Sequence, residues 1–524
     1  MGLTKATNRM ITGASSNVLD FGAVGDGVTE DTAAIQACID AVAAAGGGTV
    51  DIPNGTYITD TLRAKPNVDI YFYSGAWLKL KAAASGTTAV GTVYPVIAIL
   101  SADSCENIKI INANLDGNRA NQTPSGDSSH YGIYISHGDT QNGKITVSGA
   151  HIKNCATDGI TVNSDCTKGF TRITDFFIDN SRRGGISVVQ GYEVFISGGE
   201  IINSNGVAPE FGIDIESAGG DCHNIMVDNV ITRNNAGDGF AVGNPYTEDK
   251  HANIQFNNIK SIGDNRGFHA TNASESMIVR GLQVYNSNLV GVWVQGGKNI
   301  MFDGIHVWNA GQTSTSDGIT IGANSSILPV NIVLDNIVIQ DDQAATTTAH
   351  GVNMSNGTNV KIGKVAAFIT DAGWTSEVIY GGTNASTTDT GAKYSGNLNT
   401  IVFEKNQIAA STAFNNIPFH TDRAAGNNIY SFTAPFDGSV ISFGCQVYNV
   451  ITAGTLSAKM LIGSTFSGTL TLDSSNSTGK LYFDAGRFTF NAGDLVKFQY
   501  STDSGFLPTG SAAFMAWALI RYDD

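Results

Sequence analysis

From residue 131 to residue 352 the chain repeats one small pattern: a glycine with apolar residues at the first and third positions after it. Examples are Gly159-Ile160-Thr161-Val162, Gly212-Ile213-Asp214-Ile215, Gly291-Val292-Trp293-Val294 and Gly318-Ile319-Thr320-Ile321. The glycines are Gly132, Gly159, Gly185, Gly212, Gly239, Gly267, Gly291, Gly318 and Gly351, separated by 27, 26, 27, 27, 28, 24, 27 and 33 residues. Alternation with period two predicts a strand after each glycine, and a fixed period predicts a stack. A second apolar run, such as Asn253-Ile254-Gln255-Phe256 or Asn331-Ile332-Val333-Leu334, adds one or two further strands per repeat, joined by Asn, Gly and Asp turns. Apolar residues at three-and-four spacing, which helical repeats of this length need, do not occur in these segments. The pattern predicts an all-β solenoid, a single-stranded parallel β-helix in which each coil needs only its neighbours.

The ends of the stack read differently. The stretch from Thr29 to Val42 is an amphipathic helix with Ile35, Cys38, Ile39 and Val42 on one face, acidic residues at its start and Gly46-Gly47-Gly48 after it. Laid across the first coil, such a helix covers the open end of the solenoid. The period fades after Gly363, and the turn-rich, apolar-poor segment Gly381–Gly391 reads as a boundary. The plan is a short lead over 1–16, a β-helix over 17–385, a linker over 386–399 and a C-terminal β-sandwich over 400–524.

The segments Asn17-Val18-Leu19-Asp20-Phe21-Gly22-Ala23, Asp31-Thr32-Ala33-Ala34-Ile35-Gln36 and Gly47-Gly48-Thr49-Val50-Asp51-Ile52-Pro53 resemble the start of the pectate-lyase-like right-handed β-helix superfamily. The lead Leu3-Thr4-Lys5-Ala6-Thr7-Asn8-Arg9-Met10 is similar to the N-termini of bacteriophage tailspike polysaccharide depolymerases, where such a lead attaches the spike to the virion or to another tail protein. Phe432-Thr433-Ala434-Pro435-Phe436-Asp437-Gly438, Asn491-Ala492-Gly493-Asp494 and the aromatic last strand are similar to the trimeric jelly rolls of the C1q and tumour-necrosis-factor type, which implies a homotrimer.

Composition narrows the partners. A net charge of −16 argues against a nucleic-acid groove or an anionic membrane surface, so an acidic polymer would need local basic or hydroxyl groups. The six cysteines are scattered, without zinc spacing, and read as reduced core thiols, with no metal or other cofactor expected. The N-terminus lacks the apolar stretch of a secretion signal, which places synthesis in a host cytoplasm and action, after release on a virion, at the bacterial cell surface.

Side chains two and four positions past each repeat glycine point away from the core and stack in columns about 4.8 Å apart. The column reads Tyr134/Ser136, Thr161/Asn163, Ser187/Val189, Asp214/Glu216, Ala241/Gly243, His269/Thr271, Trp293/Gln295 and Thr320/Gly322. One coil carries two carboxylates and the next carries small residues that leave room for a ligand. Paired carboxyls, aromatic rings and amides suit a saccharide, the carboxyls sharing acid and base or nucleophile duties. The expectation is Glu216 as general acid and Asp214 as base or nucleophile, with Glu210 and Asp238 as alternates. Tyr134, Asn163, Arg183, His269 and Trp293 are expected to bind substrate, and His130, Tyr131 and His137 to line a further subsite. Asp158, Asp238 and Asp317, each just before a glycine, read as turn formers with local Asx hydrogen bonds.

Together these features predict a trimeric phage tailspike that binds a bacterial surface polysaccharide, capsular or exopolysaccharide, and cleaves it by glycoside hydrolysis. A lyase or epimerase on the same scaffold would rely instead on Arg183, Arg266, His269 or Tyr134. A non-catalytic adhesin would use the same groove only to hold glycan.

Overall fold

In the computed structural model the described residues are 15–85, 95–123, 130–137, 143–164, 169–216, 220–243, 251–271, 274–322, 328–343 and 350–354, together with most of the strands named below. Residues 1–14 of the lead, the linker region 386–398 and residues 124–129 lie outside them. Contacts divide the chain into two units, one comprising Met1–Val360 and Val365–Ile379 and the other Lys361–Lys364 and Tyr380–Asp524.

The first unit is a right-handed parallel β-helix. Each glycine is followed by a short strand, among them Tyr131–Ser136, Ile160–Asn163, Ile213–Glu216, Phe240–Gly243, Phe268–Ala270, Val292–Val294 and Ile319–Ile321. Each of these pairs in parallel with its counterparts one coil before and one coil after. The rest of a coil is a longer strand bent at a corner, as in Cys222–Arg233 and Lys298–Trp308. Asparagines fill these corners because their short amide tolerates the left-handed backbone: Asn224, Asn253, Asn299 and Asn331 have φ of 55–56°. Their amides bond from coil to coil, Asn253 to Asn224 at 3.1 Å and Asn331 to Asn299 at 2.8 Å. Inside, Phe240, Phe256, Phe268 and Phe302 meet edge to face with centroids 5.0–6.1 Å apart.

The repeat glycine has a steric cause. A Cβ on Gly212 would lie 2.5 Å from the Gly239 carbonyl oxygen and 2.5 Å from Thr232 Cγ2. Gly159, Gly267, Gly291 and Gly318 each meet the next repeat glycine's carbonyl oxygen at 2.7 Å in the same way. These glycines have ordinary φ values, so it is the close approach of one coil to the next, not a left-handed turn, that excludes a side chain.

The capping helix spans Thr32–Ala44 and buries Ile35, Cys38, Ile39 and Val42, the face expected from the sequence. Asp31, just before it, is buried and accepts from the Val24 and Gly25 N–H groups at 2.7 and 3.1 Å, tying the incoming chain to the cap. Cys38, Cys105, Cys155, Cys222 and Cys445 are free and buried, and Cys166 lies outside the described residues.

In the second unit two antiparallel sheets form. One joins Asn399–Asn406, Ala513–Tyr522, Gly438–Val447 and Thr478–Tyr482, and the other Asn415–Ile417, Leu495–Thr502, Leu456–Ile462 and Thr465–Leu472. Phe443 of the first meets Phe498 of the second with ring centroids 5.6 Å apart.

Gly212→Ala is expected to cost about 2–3 kcal/mol through overpacking against backbone that cannot yield. Thermal melting of the purified variant measures it, and an unchanged midpoint would contradict the steric account.

Candidate functional site

The register stacks Thr161, Ser187, Asp214, Ala241, His269, Trp293, Thr320 and Asn353 as successive rungs of one column. The second column departs at one rung: a bulge after Val162 pairs Asn163 with Gln190 in place of the expected Val189. The main column lies outside the core but is not open surface, since Thr161, Ser187, Asp214, Ala241 and His269 are all buried. Next to Asp214 and Glu216 the following rung carries the small residues Ala241 and Gly243, and the rungs of His269 and Trp293 come after it.

Asp214 is 4% exposed. Burial, and next the charge of Glu216, raise its carboxyl well above the ordinary carboxylate range, while Arg183 opposes the shift without cancelling it. Asp214 also stands within hydrogen-bonding reach of Glu216. The Glu216 side chain is more open and takes an ion pair from Arg183 Nη2 at 3.4 Å. The other terminal nitrogen of Arg183 contacts Asp158 at 3.2 Å, so one guanidinium links carboxylates from coils two apart. Burial raises the Asp158 carboxyl as well, again opposed by Arg183. Burial and Glu216 thus favour the protonated form of Asp214, and Glu216 is the member of the pair that Arg183 contacts.

A second cluster lies one and two rungs further on. Asp238, fully buried, accepts from Arg266 at 3.1 Å and from His269 Nδ1 at 2.9 Å. His269 Nε2 lies 3.0 Å from the Gln295 amide oxygen, its ring stacks on Trp293 at 4.9 Å and 7°, and Arg266 lies over the same indole at 4.7 Å. Because a carboxylate can only accept, Nδ1 carries the hydrogen that faces Asp238, while Nε2 faces the Gln295 amide. Further up, Asp317 takes His350 at 2.5 Å, Thr320 at 2.8 Å and Asn353 at 2.8 Å. Burial opposes ionisation of Asp317, but these bonds, that of His350 foremost, outweigh it and hold its carboxyl below the usual value.

Several expectations are corrected. Asp158, Asp238 and Asp317 are not simple turn formers: each reaches a basic side chain on the following coil, Arg183, Arg266 and His350 respectively. The signal was an opposite charge one period later in the sequence. Glu210 does not join Asp214, because its carboxylate accepts the Gly206 N–H in the preceding turn. Tyr134 is buried against Tyr131 and Ala98 three rungs from Asp214 and offers no open platform. His130 and His137 are buried too, and burial lowers His137 to about 4 while its Nε2 meets Thr171 at 2.9 Å. One face of Trp293 is already covered by His269 and Arg266, so the indole serves as a wall behind the imidazole. Asn163 remains half-buried beside Gln190. Among the described residues no group of three or more His, Cys, Asp and Glu is placed to hold a metal ion.

The first unit thus carries carboxyls, arginines and an aspartate-oriented histidine along and beside one outer column of a parallel β-helix. The chain belongs to the family described as rhamnogalacturonase A/epimerase, pectate lyase-like, whose profile matches residues 15–293. It is 33% identical over 144 residues to mannuronan C5-epimerase AlgE4 of Azotobacter vinelandii, a match covering 26% of each protein. It is 31% identical over 118 residues to a polygalacturonase of Medicago sativa, covering 22% of this chain and 27% of that protein. The chain thus spans about a quarter of the length of these relatives. The solved AlgE4 A-module superposes with a TM-score of 0.57 at 18% identity, over 71% of this chain and 100% of the module, a likeness of fold.

Arg183→Gln would leave Asp158, Asp214 and Glu216 without their shared cation. The folded carboxyls would then hold protons more tightly than the unfolded chain, whose Asp and Glu titrate at about 4. The destabilisation is therefore absent below that pH and grows as pH rises through the raised folded-state values. The expected loss is about 3 kcal/mol at neutral pH and much less near pH 4, read from denaturant unfolding at both. Equal losses at the two pH values would contradict the shared-cation geometry.

Proposed function

We propose that this protein is a depolymerase that binds a bacterial surface polysaccharide, capsular or exopolysaccharide, and hydrolyses its glycosidic bonds at the recess of Ala241 and Gly243. The observation that carries this reading is Asp214, a buried carboxyl held well above the ordinary carboxylate range and followed on the next rung by the small residues Ala241 and Gly243. Asp214 gives its proton to the departing glycosidic oxygen. Glu216, held by Arg183, either takes a proton from a water whose oxygen bonds to the anomeric carbon as the leaving oxygen departs, or bonds to that carbon itself, the resulting ester then being broken by a water that gives its proton to Asp214. A sugar oxygen arriving at Asp214 takes the hydrogen now shared with Glu216 and so separates the two carboxyls into their roles. No cofactor is required for these steps.

The lead and the C-terminal unit support a phage tailspike context, on their sequence resemblances alone. In this reading three copies assemble through the C-terminal unit, and the lead attaches the spike to the virion or to another tail protein.

A second reading rests on His269. With Asp238 fixing its Nδ1 and Arg266 alongside, it is placed to abstract a proton next to a uronate carboxylate, the first step of β-elimination or epimerisation. The similarity to a mannuronan C5-epimerase favours weighing it.

The two readings differ in products. Incubation of the protein with a panel of bacterial capsular polysaccharides is expected to shorten a responsive polymer and release reducing ends without the ultraviolet absorbance of an unsaturated uronate. Asp214→Asn is expected to lower kcat by about 10²–10⁴-fold with binding retained. Absorbance that grows with cleavage and vanishes in His269→Ala would transfer the chemistry to the histidine, and binding without any shortening would make the protein an adhesin.

A further inference from the structure

The turn after Asn203 carries the pair Asn205-Gly206, both exposed. In an asparagine-glycine pair the following backbone nitrogen reaches the asparagine's own side-chain amide with least hindrance, because glycine puts no Cβ in the way. Three contacts hold this amide and this nitrogen in place. Arg119 reaches across coils, its Nη2 donating to Asn205 Oδ1 at 3.3 Å and its Nη1 to Asn180 Oδ1 at 2.9 Å. Asn205 Nδ2 donates to the Asn203 carbonyl at 2.5 Å. The Gly206 N–H donates to a carboxylate oxygen of Glu210, whose own backbone is held left-handed with φ of 60°.

These contacts meet the demands of one reaction, attack of the Gly206 nitrogen on the Asn205 amide carbon. An amide nitrogen becomes a nucleophile only as its proton leaves, and the Glu210 carboxylate already faces that proton. Negative charge builds on Asn205 Oδ1 as the new bond forms, and the Arg119 guanidinium already faces that oxygen. The pair Asn54-Gly55 is the contrast. There Oδ1 accepts the Gly75 N–H at 3.0 Å, and the Gly55 N–H donates to the Gly75 carbonyl at 3.1 Å, both neutral backbone groups.

We propose that Asn205 is a self-modification site, at which the folded chain converts asparagine to aspartate or isoaspartate through a cyclic imide. Glu210 takes the Gly206 N–H proton as that nitrogen bonds to Asn205 Cγ. The tetrahedral centre then collapses, the Cγ–Nδ2 bond breaks, and Nδ2 leaves as ammonia with the proton returned by Glu210. Water opens the imide at Cγ to give aspartate, or at the backbone carbonyl to give isoaspartate. One water enters and one ammonia leaves, with no oxidant, metal or cofactor. Either product adds a negative charge at the turn that Arg119 faces. The inference stands on this turn alone and is independent of what the protein does to polysaccharide.

The test uses the full chain, held at neutral pH in heavy-oxygen water, folded in one sample and in denaturant in another. Digestion with an acid protease at low pH stops the reaction, and mass spectrometry reads each peptide. In the folded chain the Asn205 peptide is expected to replace its amide NH with one heavy oxygen faster than in denaturant, while the Asn54 peptide converts more slowly folded than unfolded. Glu210→Gln, with its circular dichroism unchanged, is expected to slow conversion at Asn205 by about 10²-fold. Wild type already converted at Asn205 on purification, with Asn205 intact in Glu210→Gln, is the same result. If Glu210→Gln does not fold, the comparison of folded with denatured wild type decides, and Arg119→Lys should convert faster than Arg119→Gln. Conversion at Asn205 no faster folded than unfolded, an unchanged rate in folded Glu210→Gln, or chain cleavage after Asn205 in place of deamidation would overturn the proposal.

Discussion

The structure depends on how closely one coil approaches the next at the repeat glycine. With the Gly239 carbonyl oxygen 2.5 Å from where a Gly212 Cβ would sit, any side chain there would push the coils apart. Because this contact recurs at Gly159, Gly267, Gly291 and Gly318, the strands after the glycines keep one register through the stack. That register makes residues from distant parts of the sequence into neighbours. Thr161 and Asn353 belong to one column although they are nearly 200 positions apart, as their numbers in the sequence state.

Stacking also sets the electrostatics. Charges on consecutive rungs are held at close range in partly desolvated surroundings, where an unpaired one is costly. Three aspartates meet this by pairing with a basic side chain on the following coil: Asp158 with Arg183, Asp238 with Arg266 and His269, Asp317 with His350. Asp214 has only Ala241 on the following rung and the acidic Glu216 beside it. A carboxyl in that position is held well above the ordinary carboxylate range, and the residue beside it on the following rung is the small Ala241.

The sequence made the solenoid, the capping helix and the column register legible because all three follow from periodicity, which local residue types carry. Burial of the column was not legible: alternation tells which way a side chain points and not what lies over it. That gap explains why Tyr134, expected as a platform, is packed against Tyr131, and why the raised carboxyl of Asp214 is not visible in the pattern. The pairing of Asp158, Asp238 and Asp317 was present in the sequence as an opposite charge 25, 28 and 33 positions on, but it becomes visible only when the repeats are aligned by coil. Glu210 illustrates the reverse case. It is four residues from Asp214, yet the turn directs its carboxylate to Gly206.

The central claim is that a glycosidic bond is held at the recess of Ala241 and Gly243 with its leaving oxygen at Asp214. A crystal structure of Asp214→Asn with an oligosaccharide from a polysaccharide that the wild-type protein shortens tests this most directly. The account predicts a sugar chain crossing that recess with a glycosidic oxygen in hydrogen-bonding contact with residue 214 and a ring near Glu216. An oligosaccharide bound on another face, or one whose acidic carbon faces His269 Nε2 while residue 214 touches no glycosidic oxygen, would contradict it.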